Sequence, residues 1–271
     1  MRNALFALLL AAPLLPAADP PAGDDKKKAL LEAATKALAA IDPKADKAER
    51  AAAYAKVGEM YLQLREPERA VEVFTRAVEA DPDRAALRDR RGDAHLWAGK
   101  FAEAVADYDA FLKAEPKFAP KHWRRGIALY YAGKHEDGVK QFALHKTDNP
   151  QDVENAAWHY LCNVPVVGKA KAQKELIEVT RDPRVPMAEI QKLFAGTLKP
   201  EDVLAAADRA KGAEKTSARF YAHLYVGLWY EAEGDGKKAK EHLGAAVEKY
   251  EVPDYMWDVA NAHLRVLKAK K

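Results

Sequence analysis

The side chains best placed to do chemistry are three carboxylates, Glu59, Asp89 and Asp93. Asp89 and Asp93 are four apart, so on a helix they stand one turn apart on one face, the placement an acid and base pair needs. The plainer reading of all three is solvated surface charge. His159 and Cys162, three apart on a helix, offer two metal ligands where a structural zinc site takes four. Cys162 reads instead as a small buried hydrophobe. GDGKK at 234–238 is only superficially like a phosphate-binding loop, because no strand precedes it and its glycines fall at a turn between helices. No Ser-His-Asp arrangement has a local signature. The sequence therefore assigns no catalytic residue, no metal and no cofactor.

The elements that carry these residues are helical. Alanine is abundant, Val and Ile are sparse, and charged residues make up 31% of the 271, a balance that favours helix over strand. A formal charge of +3 with both signs mixed along the chain gives no basic field for phosphates, which argues against a nucleic-acid partner. At the N-terminus, Arg2 precedes an apolar run from Ala4 to Leu15, followed by small residues at Ala17 and Ala18. That order is a secretory signal, expected over residues 1–18, and its apolar run is shorter than the roughly 20 residues of a membrane-spanning helix. The expectation is an exported protein, periplasmic or secreted, without a stable membrane anchor after cleavage. Its single cysteine allows no internal disulfide, so packing alone must hold the fold.

Internal repetition organises the rest. Pro82, Pro116 and Pro150 are spaced by 34 residues, and so are Gly58, Gly92 and Gly126. Counting from Ala51, Ala85 and Ala119, position eleven holds Tyr61, His95 and Leu129, position twenty Ala70, Ala104 and Gly138, and position twenty-four Phe74, Tyr108 and Phe142. A helical hairpin whose axes approach closely needs small residues at the crossing, with bulk on either side, and a proline ends its second helix. One hairpin cannot bury its second face, so such units stack. Ahead of them, residues 19–50 read as a flexible Pro- and charge-rich tether, with Lys26 to Lys28 as the solvated start of an amphipathic helix through Leu30, Leu31, Ala34, Leu38 and Ile41.

Residues 51–84 resemble a tetratricopeptide repeat, with Tyr54, Gly58, Tyr61, Ala70, Phe74, Ala77 and Pro82 at signature positions. The next two repeats depart from it at Arg88 and His122, where an aromatic is usual, and at Phe111 and His145, where Ala is usual. A fourth hairpin, through Gly227, Tyr230, Gly234, Ala239, Leu243 and Ala246, is similar. The resemblance implies an all-α, right-handed superhelical solenoid of hairpins: three repeats over 51–152, an irregular helical insert over 153–216, and a fourth hairpin with a C-terminal capping helix over 217–271. Within the insert, helices are expected at Ala157 to Val164, Ala170 to Val179, Met187 to Phe194 and Pro200 to Ala210. The capping helix, Asp254 to Leu267, carries Tyr255, Val259, His263 and Val266 on one face. The order of repeats, insert, repeat and cap is similar to that of a periplasmic adaptor called new lipoprotein I, although no lipidation cysteine follows the apolar run.

In such repeats function is usually located on the concave face, made by first-helix positions two, five, nine, twelve and thirteen. Those positions assign a partner groove of Glu59, Gln63, Asp89, Asp93, Trp97, Trp123, Ile127, Tyr130 and Tyr131. Aromatic anchors and acidic neighbours suit a protein or peptide with basic and apolar residues. The Lys and Asn that clamp an acidic tail in related domains are absent from positions five and nine, which hold Ala55, Glu59, Asp89, Asp93, Trp123 and Ile127. The alternative for Trp97 and Trp123 is packing against neighbouring helices within the array. The function implied is a non-catalytic adaptor, with cell-wall polymer binding or self-assembly as the other classes.

Overall fold

A computed structural model describes residues 23–269, so the expected signal at 1–18 lies outside the described residues. Every regular element among the described residues is a helix. The chain begins with α1 (Asp24–Ala39) and continues as hairpins α2 (Lys47–Gln63) with α3 (Pro67–Ala80), α4 (Ala85–Trp97) with α5 (Phe101–Ala114), and α6 (Trp123–Tyr131) with α7 (His135–His145). A 3-10 turn, Pro116–Lys121, precedes α6. Then follow α8 (Val153–Val167), α9 (Lys169–Lys174), α10 (Met187–Phe194) and α11 (Pro200–Asp208), the hairpin α12 (Glu214–Ala232) with α13 (Gly236–Lys249), and α14 (Tyr255–Ala269). The expected tether is shorter than the sequence suggested, because Asp24 and Asp25 place acidic charge in the first turn of α1, where the helix dipole favours it.

The glycine at position eight makes room for a ring. A Cβ on Gly58, Gly92 or Gly126 would stand 2.7, 2.5 or 2.6 Å from the ring of Phe74, Tyr108 or Phe142, so each aromatic of a second helix lies flat on the glycine of its first. Gly227 meets Leu243 in the same way at 2.9 Å. Cys162 is a packing partner of this kind, its Sγ filling the space over Gly138. The turn between paired helices needs a positive φ, supplied by Gly99, Gly133 and Gly234. The first hairpin puts Arg65 there instead, at φ 57, a conformation that costs a non-glycine residue about 1–3 kcal/mol.

Two of the departures from the repeat signature compensate each other. His122 and Phe111 face each other at 5.7 Å, so the aromatic missing from one repeat's first helix is restored by a ring on the preceding repeat's second. The insert keeps three of its four expected helices nearly in place. The one expected over Ala170 to Val179 stops at Lys174, because the chain from 176 runs into a β-branched stretch and two prolines. That stretch hangs on side chains: Gln151 Oε1 accepts the N–H groups of Thr180 and Arg181, and Gln191 donates to the Ile177 carbonyl at 2.9 Å. A main core extends from Ala34 to Leu267, and Ala51, Ala77, Val78 and Leu87 form a second, smaller cluster between the first two repeats.

Candidate functional site: the concave channel

The first helices of the repeats line the inner face, and α14 lies along it. Tyr255 sits between two indoles, 5.1 Å from Trp97 and 5.0 Å from Trp123. Its hydroxyl donates to Asp93 at 3.1 Å, beside the Tyr108 hydroxyl, which donates to the same oxygen at 2.8 Å. Beside it Arg65 lies over the Trp257 ring, 3.5 Å from its centroid, bonds Glu251 and the Val252 carbonyl, and faces Asp258 at 3.4 Å. These contacts account for an arginine at a glycine's φ. Further along, His263 bridges the Tyr131 hydroxyl at 3.0 Å and Glu231 at 2.8 Å, and Arg265 reaches the Trp97 carbonyl and Glu68. The C-terminal helix thus packs on α13 and touches each of the three repeats.

Two of the three carboxylates are not solvated, which corrects the surface-charge reading for them: Asp89 is 3% and Asp93 0% exposed, whereas the Glu59 side chain keeps 40% of its surface. Arginines supply the reason. Arg124, from the next repeat, forks across both, donating to Asp89 at 2.7 and 2.9 Å and to Asp93. Arg90 ties Asp93 to Glu59 on the preceding repeat. Burial alone raises the Asp89 carboxyl, yet Arg124 and His122 bring it down to about 2. Burial and Arg124 hold His122 below its usual range against the pull of Asp89. Its Nδ1 accepts the Arg125 N–H, so Nε2 carries the proton donated to Asp89 at 2.8 Å. Carboxylates locked this way are not poised for acid or base work.

The structure divides the residues expected to form one groove. Asp89, Asp93 and Trp97 lie beneath α14, Trp97 being 4% exposed. Glu59 and Gln63 are half-buried at the α2 end. Trp123 and Ile127 border a cavity of about 740 Å³ between α6, α8, α12 and the start of α14. Tyr130 and Tyr131 border a smaller one of about 410 Å³ on another side of α14. The larger cavity has walls that the sequence reading missed: Glu154, Asn155 and Trp158 on α8, Arg184 from the stretch before α10, Tyr221 on α12 and Asp254 before α14. A signal was present, since Val153 lies 34 residues after Ala119 and α8 therefore takes the place of a fourth first helix, with Glu154 at its position two.

Arg184 organises that wall, with Asp152 at 2.9 Å, Glu154 at 2.5 Å and Asp182 at 2.7 Å. Burial raises the Glu154 carboxyl, Arg184 opposes it, Asp152 and Asp254 add to the rise, and the group stands at about 7. Tyr225 donates to Glu154 at 2.7 Å and Tyr221 to Asp254 at 2.9 Å. Two buried polar atoms of the wall, Asn155 Oδ1 and Trp158 Nε1, have no hydrogen-bond partner. Among the described residues no three His, Cys, Asp or Glu gather as a metal site, and no helix is long and apolar enough to cross a membrane.

Comparison with known proteins bears on the hairpins directly. The tetratricopeptide repeat family matches at residues 51–84 and again at 90–153. The chain carries tetratricopeptide repeats. A tetratricopeptide repeat protein from Parabacteroides merdae superposes with a TM-score of 0.55 at 15% identity, covering 89% of this chain and 93% of that one. Yeast Tom70 superposes more loosely, with a TM-score of 0.35 at 13% identity over 94% of this chain and 62% of its own. No curated protein matches in sequence. The described chain is an all-α solenoid of repeats, a fold that ordinarily serves as a scaffold for protein–protein interaction.

Proposed function

We propose that this protein is an exported adaptor without catalytic activity, and that it holds a segment of a partner protein in the open end of its channel. The observation that carries the reading is an open cavity of about 740 Å³ on the inner face, bordered by aromatic side chains and by an acid, Asp254, that has no counter-ion. Aromatic side chains around it, Trp123, Trp158, Tyr221 and Tyr255, supply rigid contact area of the kind that anchors interfaces. Export rests on Arg2 and the apolar run Ala4 to Leu15. A place in cell-envelope protein turnover or assembly follows from that export together with the similarity in organisation to a periplasmic adaptor.

The test places a photo-crosslinking amino acid at Tyr221, inside the channel, and separately at Lys113, exposed on the second helix α5, in cells expressing the full chain. The expected result is a discrete set of proteins captured from Tyr221 and not from Lys113, by a chain shortened at Ala17 or Ala18. Identical products from both positions, or none from Tyr221, contradict the reading of the channel. An unshortened N-terminus contradicts export.

A further inference from the structure

We infer that the open cavity receives a basic side chain, lysine or arginine, from the partner's segment, between aromatic walls and an acidic corner. The inference rests on the reading of the channel as a protein-binding site and adds what that site selects. Four cations line the cavity: Arg90, Lys121, Arg124 and Arg184. All are engaged. Arg90 holds Glu59 and Asp93, and Arg124 holds Asp89 and Asp93. Lys121 stands 3.8 Å from Asp148, and Arg184 is shared by Asp152, Glu154 and Asp182. Asp254 completes the wall with no cation paired to it; its oxygens accept the Tyr221 hydroxyl at 2.9 Å and the Met256 N–H at 2.8 Å. The lining as a whole matches these cations with four carboxylates, Asp148, Asp152, Glu154 and Asp254, but three of the four, with Asp182 behind them, stand about Arg184 alone, and that corner is acidic. In a cleft with low-dielectric walls such an imbalance is felt strongly by an entering charge.

The neutral walls suit such a guest, because tryptophan and tyrosine rings attract a cation through their faces and the half-buried Trp123, Tyr221 and Tyr255 border the space. A volume of about 740 Å³ exceeds one side chain and admits flanking backbone. An acidic guest would instead have to draw Arg184 away from three carboxylates.

The experiment uses N-acetylated, C-amidated heptapeptides of serine and leucine with a central lysine, norleucine or glutamate, titrated into the full chain and read by tryptophan fluorescence. The lysine peptide is expected to bind at least tenfold more tightly than the norleucine peptide, and the glutamate peptide most weakly. Combining Glu154→Gln with Asp254→Asn removes the preference for lysine. If the double variant does not fold, Asp254→Asn alone, whose amide oxygen still caps α14, is expected to lower the preference at least threefold. Equal or tighter binding of norleucine or glutamate, a preference unchanged by the folded variant, or no binding by any of the three peptides overturns the inference. Proteins captured at Tyr221 alongside such a negative result leave the adaptor reading standing without its basic selectivity, whereas no capture sinks the adaptor reading itself.

Discussion

Between α2 and α4 the acidic and aromatic side chains of the inner face meet α14; between α6, α8 and α12 they meet a cavity. Both regions are built from the same materials, carboxylates, arginines, tryptophan and tyrosine. In the first, each of the buried acids Asp89 and Asp93 has an arginine and a second donor, and Tyr255 fills the space between two indoles. In the second, Asn155 and Trp158 keep unbonded polar atoms and Asp254 lacks a counter-ion. The difference teaches that side-chain type alone does not make a binding face. A concave face becomes a core wherever the chain supplies its own occupant, and only the remainder is left for a guest.

The strongest way to break the comparison is at the closed end. Arg124→Met leaves Asp89 and Asp93 buried without their shared cation, and is expected to lower unfolding free energy by about 3–5 kcal/mol, read by urea denaturation; a loss below about 1 kcal/mol would mean that the pair network is solvated. Gly92→Ala raises helix propensity, yet its Cβ falls 2.5 Å from the Tyr108 ring, so a net loss of about 1–3 kcal/mol is expected from overpacking. A matched pair sharpens the contrast further. Tyr255→Phe removes a hydroxyl bonded to Asp93 and is expected to cost about 1–2 kcal/mol, whereas Asp254→Asn, which keeps an oxygen to accept the Met256 N–H and has no counter-ion to lose, leaves stability within about 1 kcal/mol. Equal losses at the two sites would erase the distinction between closed and open regions.

The gentlest probe is pH. The Asp89 carboxyl at about 2 lies below its usual value, so its stabilisation is present above about pH 4 and is lost as pH falls through 2. Glu154 and Asp258 stand at about 7, Asp258 chiefly through burial against the opposing charge of Arg65. Their contribution has the opposite sign, complete below about pH 4 and lost as pH rises through 7. Thermal unfolding is therefore expected to peak between about pH 4 and 6, and Asp258→Asn to flatten the fall on the alkaline side.

The hairpins were legible because their determinants are local and periodic. Gly58, Gly92 and Gly126 with Phe74, Tyr108 and Phe142 announce both the period and the contact it serves. Less of the site was legible. Arg90 and Arg124 recur at one repeat position, 34 residues apart, and that recurrence was the available sign that an arginine reaches the acids of the repeat before it. The path of α14 had no such sign, because its contacts with Asp93 and Trp97 span 162 and 168 residues along the chain. Arg65 was a faint one, the single first-helix turn without glycine among three otherwise aligned hairpins.

The central claim, that the C-terminal helix occupies one end of the channel and leaves the other open, is tested most directly by nuclear Overhauser contacts in protein with labelled aromatic residues. Cross-peaks from the Tyr255 ring to the indoles of both Trp97 and Trp123 are predicted in the free protein. Their absence, with narrow and mobile signals from residues 255–269, would contradict it.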